Sequence, residues 1–171
     1  SWPLPSFSDI LNHMAQHKPK YLSTMDIFSG YSQVKLSTKS QDIVGAVTRT
    51  RQFTYTRAPQ GLASSSAIFL KKMHERLGEV IRKSNSVTWC DDFLYTSQTE
   101  QEMIKNIDTI LAEAEKNGIT FSAFKGNYLQ KQVEFAGCFW TPSGVKADPA
   151  KAIVMREFPQ PKSRKQLRSF L

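Results

Sequence analysis

The stretch Val87-Thr88-Trp89-Cys90-Asp91-Asp92-Phe93-Leu94-Tyr95 decides how this chain is read. Two carboxylates interrupt an otherwise apolar, β-favouring run. Successive side chains on a strand point to opposite faces, so adjacent acids cannot both leave a buried sheet unless the backbone turns there. One left buried and unpaired would cost several kcal/mol or be forced to protonate. A tight hairpin over Ser86 to Tyr95 resolves the conflict by presenting both acids at one sheet edge. Carboxylates so placed repel each other and call for cations. Magnesium, a hard ion with oxygen ligands, is the natural counter-charge. An Asp-Asp pair by itself is more often an ordinary turn; the apolar flanks set this one apart.

Asp26 is the candidate third acid. It sits in another β-favouring run, Tyr21-Leu22-Ser23-Thr24-Met25-Asp26-Ile27-Phe28, where its simpler role is a strand-end or turn residue. Two acid-bearing strands side by side would gather three carboxylates at one point. A two-metal site that holds both attacking and leaving oxygens needs such a set.

The rest of the chain supplies a scaffold for these strands. Trp2-Pro3-Leu4-Pro5 is extended. Ser6 or Ser8 caps a short helix with Phe7, Ile10, Leu11 and Met14 on one face, ended by Pro19. Tyr21 to Ile27 reads as a strand, followed by strand candidates at 33–36, 43–48 and 52–57, the last alternating through Phe53 and Tyr55. The run Ser64-Ser65-Ser66 offers caps for a helix to about Lys83, with a stripe of Phe69, Met73, Leu77, Val80 and Ile81. A second long helix opens on a Thr99/Glu102 capping box, turns Met103, Ile107, Ile110, Leu111 and Ala114 inward, and stops at Gly118. Residues 119–121 and 133–139 read as strands, and Pro142-Ser143-Gly144 turns into a short strand at 145–147. The pattern is α+β, an antiparallel sheet with helices packed on one face.

Composition bounds the partners. The chain has 171 residues, 40% of them apolar, enough for one compact domain with a real core. Its 23 Lys+Arg against 15 Asp+Glu leave a net charge of +8, a balance that favours polyanions because phosphate contacts release counterions. Arg49 to Arg57 and Lys162 to Arg168 are the densest basic stretches. No apolar run is long enough to cross a bilayer, and no charged-then-apolar leader opens the chain. Cys90 and Cys138 lie in apolar segments at a spacing that suits no zinc site, and are expected as reduced, buried thiols of an intracellular protein.

With these residues in view, the chain resembles the palm core of reverse transcriptases from retrovirus-like (LTR, gypsy-type) retroelements. Asp26-Ile27-Phe28-Ser29-Gly30-Tyr31 resembles motif A, Ala58-Pro59-Gln60-Gly61-Leu62 with Phe69 motif B, and Trp89-Cys90-Asp91-Asp92 motif C. Phe121-Ser122-Ala123-Phe124-Lys125 is similar to motif D, and Val133-Glu134-Phe135-Ala136-Gly137-Cys138 to the primer grip. Pro3-Leu4-Pro5 and the closing Gln166 to Leu171 also match the family. No single motif is decisive; their common order and spacing is specific.

The resemblance implies RNA-directed DNA polymerase activity, a nucleotidyl transfer that extends a primer on an RNA or DNA template with dNTPs. It implies two Mg2+ ions, with Mn2+ as a substitute, at Asp26, Ile27, Asp91 and Asp92. Lys125 would stabilise or protonate departing pyrophosphate. Tyr31 would stack under the incoming sugar, Gln60 and Gly61 would meet the nucleotide, and Phe135, Gly137 and Cys138 would shape the primer grip. Bland alternatives stand beside these roles: a core tyrosine, a surface lysine, and ordinary strand packing. Further implied are fingers, thumb and RNase H partners within a Pol polyprotein, no membrane, and a cytoplasmic setting that includes virus-like particles or the nucleus. On this reading residues 1–20 are a remnant of the fingers and lead-in helix, 21–148 the palm, and 149–171 the incomplete start of a thumb or connection. A polyprotein fragment or an isolated palm is therefore expected.

The chain departs from the family pattern in three places. Trp89 replaces the usual Tyr or Phe, Ser64 to Ser66 replace an Asn-Ala-Pro-like run, and Ala136 stands where Leu is usual. They keep a second reading open, a domesticated palm acting as a non-enzymatic protein-interaction or nucleic-acid-binding module. A generic ferredoxin-like nucleic-acid binder explains the charge but not the acids, since such a binder wants stacking aromatics rather than carboxylates.

Overall fold

The computed structural model describes residues 6–62, 64–157 and 159–170; the extended start at 2–5 lies outside them. Helix α1 (Phe7–His17) begins at a reciprocal capping box, in which the Asp9 N–H donates to Ser6 Oγ and the Ser6 N–H to Asp9 Oδ2. It ends on Lys18 in the left-handed region at φ 41°, just ahead of Pro19.

The central sheet has four strands in the order β4-β5-β1-β6. They are β1 (Tyr21–Asp26), β4 (Ser86–Trp89), β5 (Asp92–Ser97) and β6 (Asn127–Gln130), all paired antiparallel. Alternation along β1 and β5 divides two cores. Met25, Phe93 and Tyr95 face α3 (Ser65–Lys83) and α4 (Glu100–Lys116), whose stripes of Phe69, Met73, Leu77, Ile81, Met103, Ile110 and Ala114 are buried against them. Leu22 and Leu94 face the other way, into a second core with Ile10 and Met14 of α1. That core is completed by Val133, Phe135 and Trp140 of a three-stranded meander, β7 (Val133–Phe135), β8 (Cys138–Thr141) and β9 (Gly144–Ala147). The two long helices thus share one face as expected, while the opposite face is covered as well.

Several local expectations change. Residues 33–36 form no strand: a 3-10 turn at Gly30–Gln33 precedes a lone bridge from Lys35 to Arg57. A short helix α2 (Thr38–Ile43) shortens the next strand to β2 (Gly45–Val47), which pairs with β3 (Gln52–Thr54) in an exposed hairpin. The Phe53/Tyr55 alternation therefore has no core beneath it; both rings are exposed. Residues 119–121 contribute only a bridge from Phe121 to Ile27. The expected strand at 133–139 is folded back on itself, because Ala136 (φ 49°) and Gly137 (φ 75°) form a two-residue turn of the I′ type between Phe135 and Cys138. Leu111 lies on the exposed margin of α4. The α4 cap is half a box: Thr99 Oγ1 accepts from the Glu102 N–H, but the Glu102 carboxylate accepts from Gln98 and Asn85. The C-terminal part contains two helices, α5 (Pro149–Glu157) and, across the basic stretch, α6 (Arg164–Phe170). Both cysteines are free and only partly buried. Among the described residues no helix is long and apolar enough to cross a membrane.

Candidate active site

The β4–β5 hairpin closes in two residues, Cys90 and Asp91, between the paired Trp89 and Asp92. Cys90 sits at φ 55°, where turns of this length favour glycine. The turn keeps two adjacent acids at the sheet edge, as the apolar flanks required. On the other side of β5 the register places Asp26 directly opposite Asp92. Both side chains lie on the face of Leu22 and Leu94, four residues back along β1 and two residues on along β5. The Ile27 N–H donates to the Asp91 carbonyl at 3.1 Å, tying the end of β1 to the turn.

Lys125 reaches this point from the loop after α4. Its Nζ lies 2.9 Å from Asp26 Oδ2; the carboxylate is 15% exposed and the lysine 70%. The Lys125 pKa is raised, chiefly by its hydrogen bond to Asp26 and then by the charges of Asp26, Asp91 and Asp92. Asp92 moves from 3.8 to about 6. Burial is the largest cause, followed by the charges of Asp91 and Asp26 and a hydrogen bond with Asp26; Lys125 opposes them. The Cys90 thiol is pushed up by burial, then by Asp91 and Asp92.

A cleft of about 300 Å³ opens here, lined by Thr24, Met25, Asp26, Asp92, Lys125, Asn127, Glu134, Phe135, Ala136 and Gly137. Residues expected at motifs A, C, D and the primer grip therefore meet in one place. Among the described residues, no group of three or more His, Cys, Asp or Glu side chains is gathered to hold a metal ion. Asp26 and Asp92 meet, while Asp91 stands at the turn and acts on them through its charge. Three bare carboxylates would repel, and the Lys125 ammonium answers one of them. The Ile27 side chain is buried in the helix-side core, so only its main chain could serve a cation.

The nucleotide candidates lie apart from the cleft lining. Tyr31 is partly buried; its ring meets Phe69 edge-on at 5.5 Å and its hydroxyl pairs with Ser66 at 3.1 Å. Gly30 lets the rings approach, since a Cβ there would stand 2.8 Å from Phe69 Cζ. Gln60 is exposed on the turn before α3, and Gly61 adopts φ 93°. Cys138 opens β8, paired with Phe135 and Ala147.

Residues the sequence did not single out complete the site. The serines that looked like helix caps have tertiary tasks: Ser65 Oγ donates to the Pro59 carbonyl, and Ser66 holds Tyr31. Asn127 Nδ2 donates to Thr24 Oγ1, and Glu134 lines the cleft. The alternation Val133-Glu134-Phe135, with one acid between two buried apolar residues, was the available signal for Glu134.

Comparison with known proteins identifies the family and the fold. The profile of the family described as reverse transcriptase (RNA-dependent DNA polymerase) matches residues 2–139. The chain is 30% identical over 170 residues to the retrovirus-related Pol polyprotein from transposon gypsy of Drosophila melanogaster, covering 99% of this chain and 16% of that protein. It is 31% identical over 171 residues to the corresponding polyprotein of transposon opus from the same organism, covering 100% and 17%. The chain thus spans about a sixth of the length of these relatives. Among solved structures, a foamy viral protease-reverse transcriptase in complex with double-stranded DNA superposes with a TM-score of 0.83 at 24% identity, over 98% of this chain and 30% of that one. A complex of the same enzyme with an RNA/DNA hybrid gives 0.78 at 23% identity, over 92% and 21%.

Proposed function

The chain belongs to the reverse transcriptase (RNA-dependent DNA polymerase) family, and from that premise we propose that it is the catalytic palm of a retroelement polymerase that extends a primer with dNTPs on an RNA or DNA template. The observation that carries this reading is the register setting Asp26 opposite Asp92, with Asp91 at the adjoining turn and Lys125 over Asp26. The family's solved relatives named above were captured on nucleic acid, and the net charge of +8 suits the same kind of partner.

The donors suit a hard divalent cation. Asp92 is held at about 6 and Asp26 leans on an ammonium, so the cluster is short of positive charge. Asp26, Asp91, Asp92 and the main chain of Ile27 would hold magnesium, or manganese in its place. Bound there, the metal would neutralise developing charge and lower the pKa of the attacking hydroxyl. The chain's own groups do the rest. Lys125 Nζ would stabilise or protonate the pyrophosphate oxygen as it leaves, its raised pKa favouring the role of a fixed positive charge. The Tyr31 ring, fixed between Phe69 and Ser66, forms the wall that excludes a ribose 2′-hydroxyl. Gly61, free of Cβ contacts, lets the backbone beside Gln60 approach the nucleotide. The rigid Phe135–Cys138 turn, anchored where Trp140 Nε1 donates to the Phe135 carbonyl at 2.8 Å, positions the primer end. Fingers, thumb and RNase H segments of a Pol polyprotein complete the template path, in the cytoplasm, a virus-like particle or the nucleus.

The test is magnesium-dependent primer extension by the longest natural form of the protein, beside an Asp91→Asn, Asp92→Asn double variant. Extension by the parent and none by the variant is expected. Equal activity in both, or none in the parent, sinks the proposal.

A further inference from the structure

Segment 119–126, which carries Lys125, has little regular structure of its own. Two main-chain hydrogen bonds hold it to the end of β1: the Phe28 N–H to the Thr120 carbonyl at 3.0 Å, and the Ser122 N–H to the Asp26 carbonyl at 2.8 Å. Gln33 adds a third tie, built from its side chain. Gln33 Oε1 accepts from the Thr120 N–H at 3.0 Å, and Nε2 donates to the Thr120 carbonyl at 2.9 Å and to the Phe28 carbonyl. The carboxamide thus pairs with both the N–H and the carbonyl of one residue, Thr120, as a neighbouring strand would, and grips the turn after Asp26 at the same time. Gln33 is itself seated by Arg57, whose Nη1 donates to the Ser32 and Gln33 carbonyls.

We propose that Gln33 is a positioning residue that sets the register of segment 120–125 against β1 and thereby places the Lys125 ammonium on Asp26. The proposal deepens the polymerase reading and rests on it for its catalytic consequence; its geometric consequence stands alone. Thr120 is exposed, so water can satisfy its peptide once Gln33 is gone. Loss of the tie then frees the segment to slide rather than unfolding the chain. A displacement of about 1 Å in a catalytic group can cost about 100-fold; the two remaining backbone ties limit the expected loss to about 10-fold.

The test uses the longest natural form of the protein with Gln33→Met, which keeps the volume and removes all three bonds, and Gln33→Glu, which keeps the acceptor but turns a carboxylate toward two carbonyls. Without nucleic acid or nucleotide, each variant is treated with an amine-acylating reagent at one fixed pH, and labelling at Lys125 and Lys146 is quantified by peptide mass spectrometry. Lys125 labelling is expected to rise several-fold in both variants, with Lys146 unchanged. In primer extension, kcat is expected to fall about 10-fold with the dNTP KM within about twofold, and Gln33→Met should have no further effect on a Lys125→Ala background. Unchanged Lys125 labelling, or an additive loss on that background, overturns the proposal. If the parent shows no extension, the polymerase reading fails, and the labelling result alone decides the role of Gln33.

Discussion

Asp92→Asn should make the metal-free chain more stable at neutral pH while abolishing polymerase activity. The Asp92 carboxyl moves from 3.8 to about 6 on folding, so the folded state binds the proton more tightly than the unfolded state. Its contribution is therefore favourable below about pH 4 and is lost as pH rises through about 6. The full difference is worth roughly 3 kcal/mol. The side chain is only partly buried, and solvent screening reduces this to about 1–2 kcal/mol. Asparagine imitates the protonated acid, with an Nδ2–H donor in place of the shared proton, and never ionises. Relative to the parent, the variant should gain about 1–2 kcal/mol at pH 7.5 and nothing at pH 4, equivalent to roughly 2–8 °C in Tm for a chain of this size. Urea denaturation of both proteins at pH 4, 5.5 and 7.5 measures it. Millimolar magnesium should narrow the gap at pH 7.5 by stabilising the parent alone. A gap that does not change with pH, or a variant less stable than the parent at pH 7.5, would refute the electrostatic account of the site.

Three further outcomes follow from single contacts. Lys125→Ala removes the positive charge that lowers the Asp92 pKa; Asp92 should titrate still higher by carboxyl-resolved NMR, and primer extension should slow by about 100-fold. Among the described residues the fully buried Tyr95 hydroxyl has no hydrogen-bond partner. Tyr95→Phe should therefore stabilise the fold by about 1 kcal/mol in urea denaturation. Gly30→Ala places a methyl group 2.8 Å from the Phe69 ring; it should cost about 1–3 kcal/mol and weaken discrimination between dNTPs and ribonucleotides, read from their relative kcat/KM.

Elements whose cause lies within a few residues were legible in the sequence. Ser6 and Asp9 cap α1, the stripes of α3 and α4 are buried nearly as spaced, and the Asp91-Asp92 hairpin turns where its apolar flanks required. The failures share one origin. Residues 133–139 read as a single strand because Ala136 carries no signal for a positive φ, yet the buried Trp140 and Val133 hold the turn in place. Residues 33–36 read as a strand because a glutamine that pairs with a peptide 87 positions away looks like any polar strand residue. Strand β6, with the left-handed Leu129 inside it, has no clean period and exists because Ser23 and Thr24 of β1 offer it hydrogen bonds.

The candidate site divides along the same line. Asp91 and Asp92 identify themselves, since two adjacent charges in an apolar run need a turn and a counter-ion wherever they occur. The order of motifs then names the family. What only the tertiary structure decided is how the acids are shared: Asp26 and Asp92 face each other, Asp91 acts from the turn, and Lys125, 99 positions beyond Asp26, neutralises one of them. Charges interact through distance and dielectric, and neither is set until the strands are paired and the acids are partly buried. The pair is written in the sequence; its protonation, and the glutamine that aims a lysine at it, are properties of the fold.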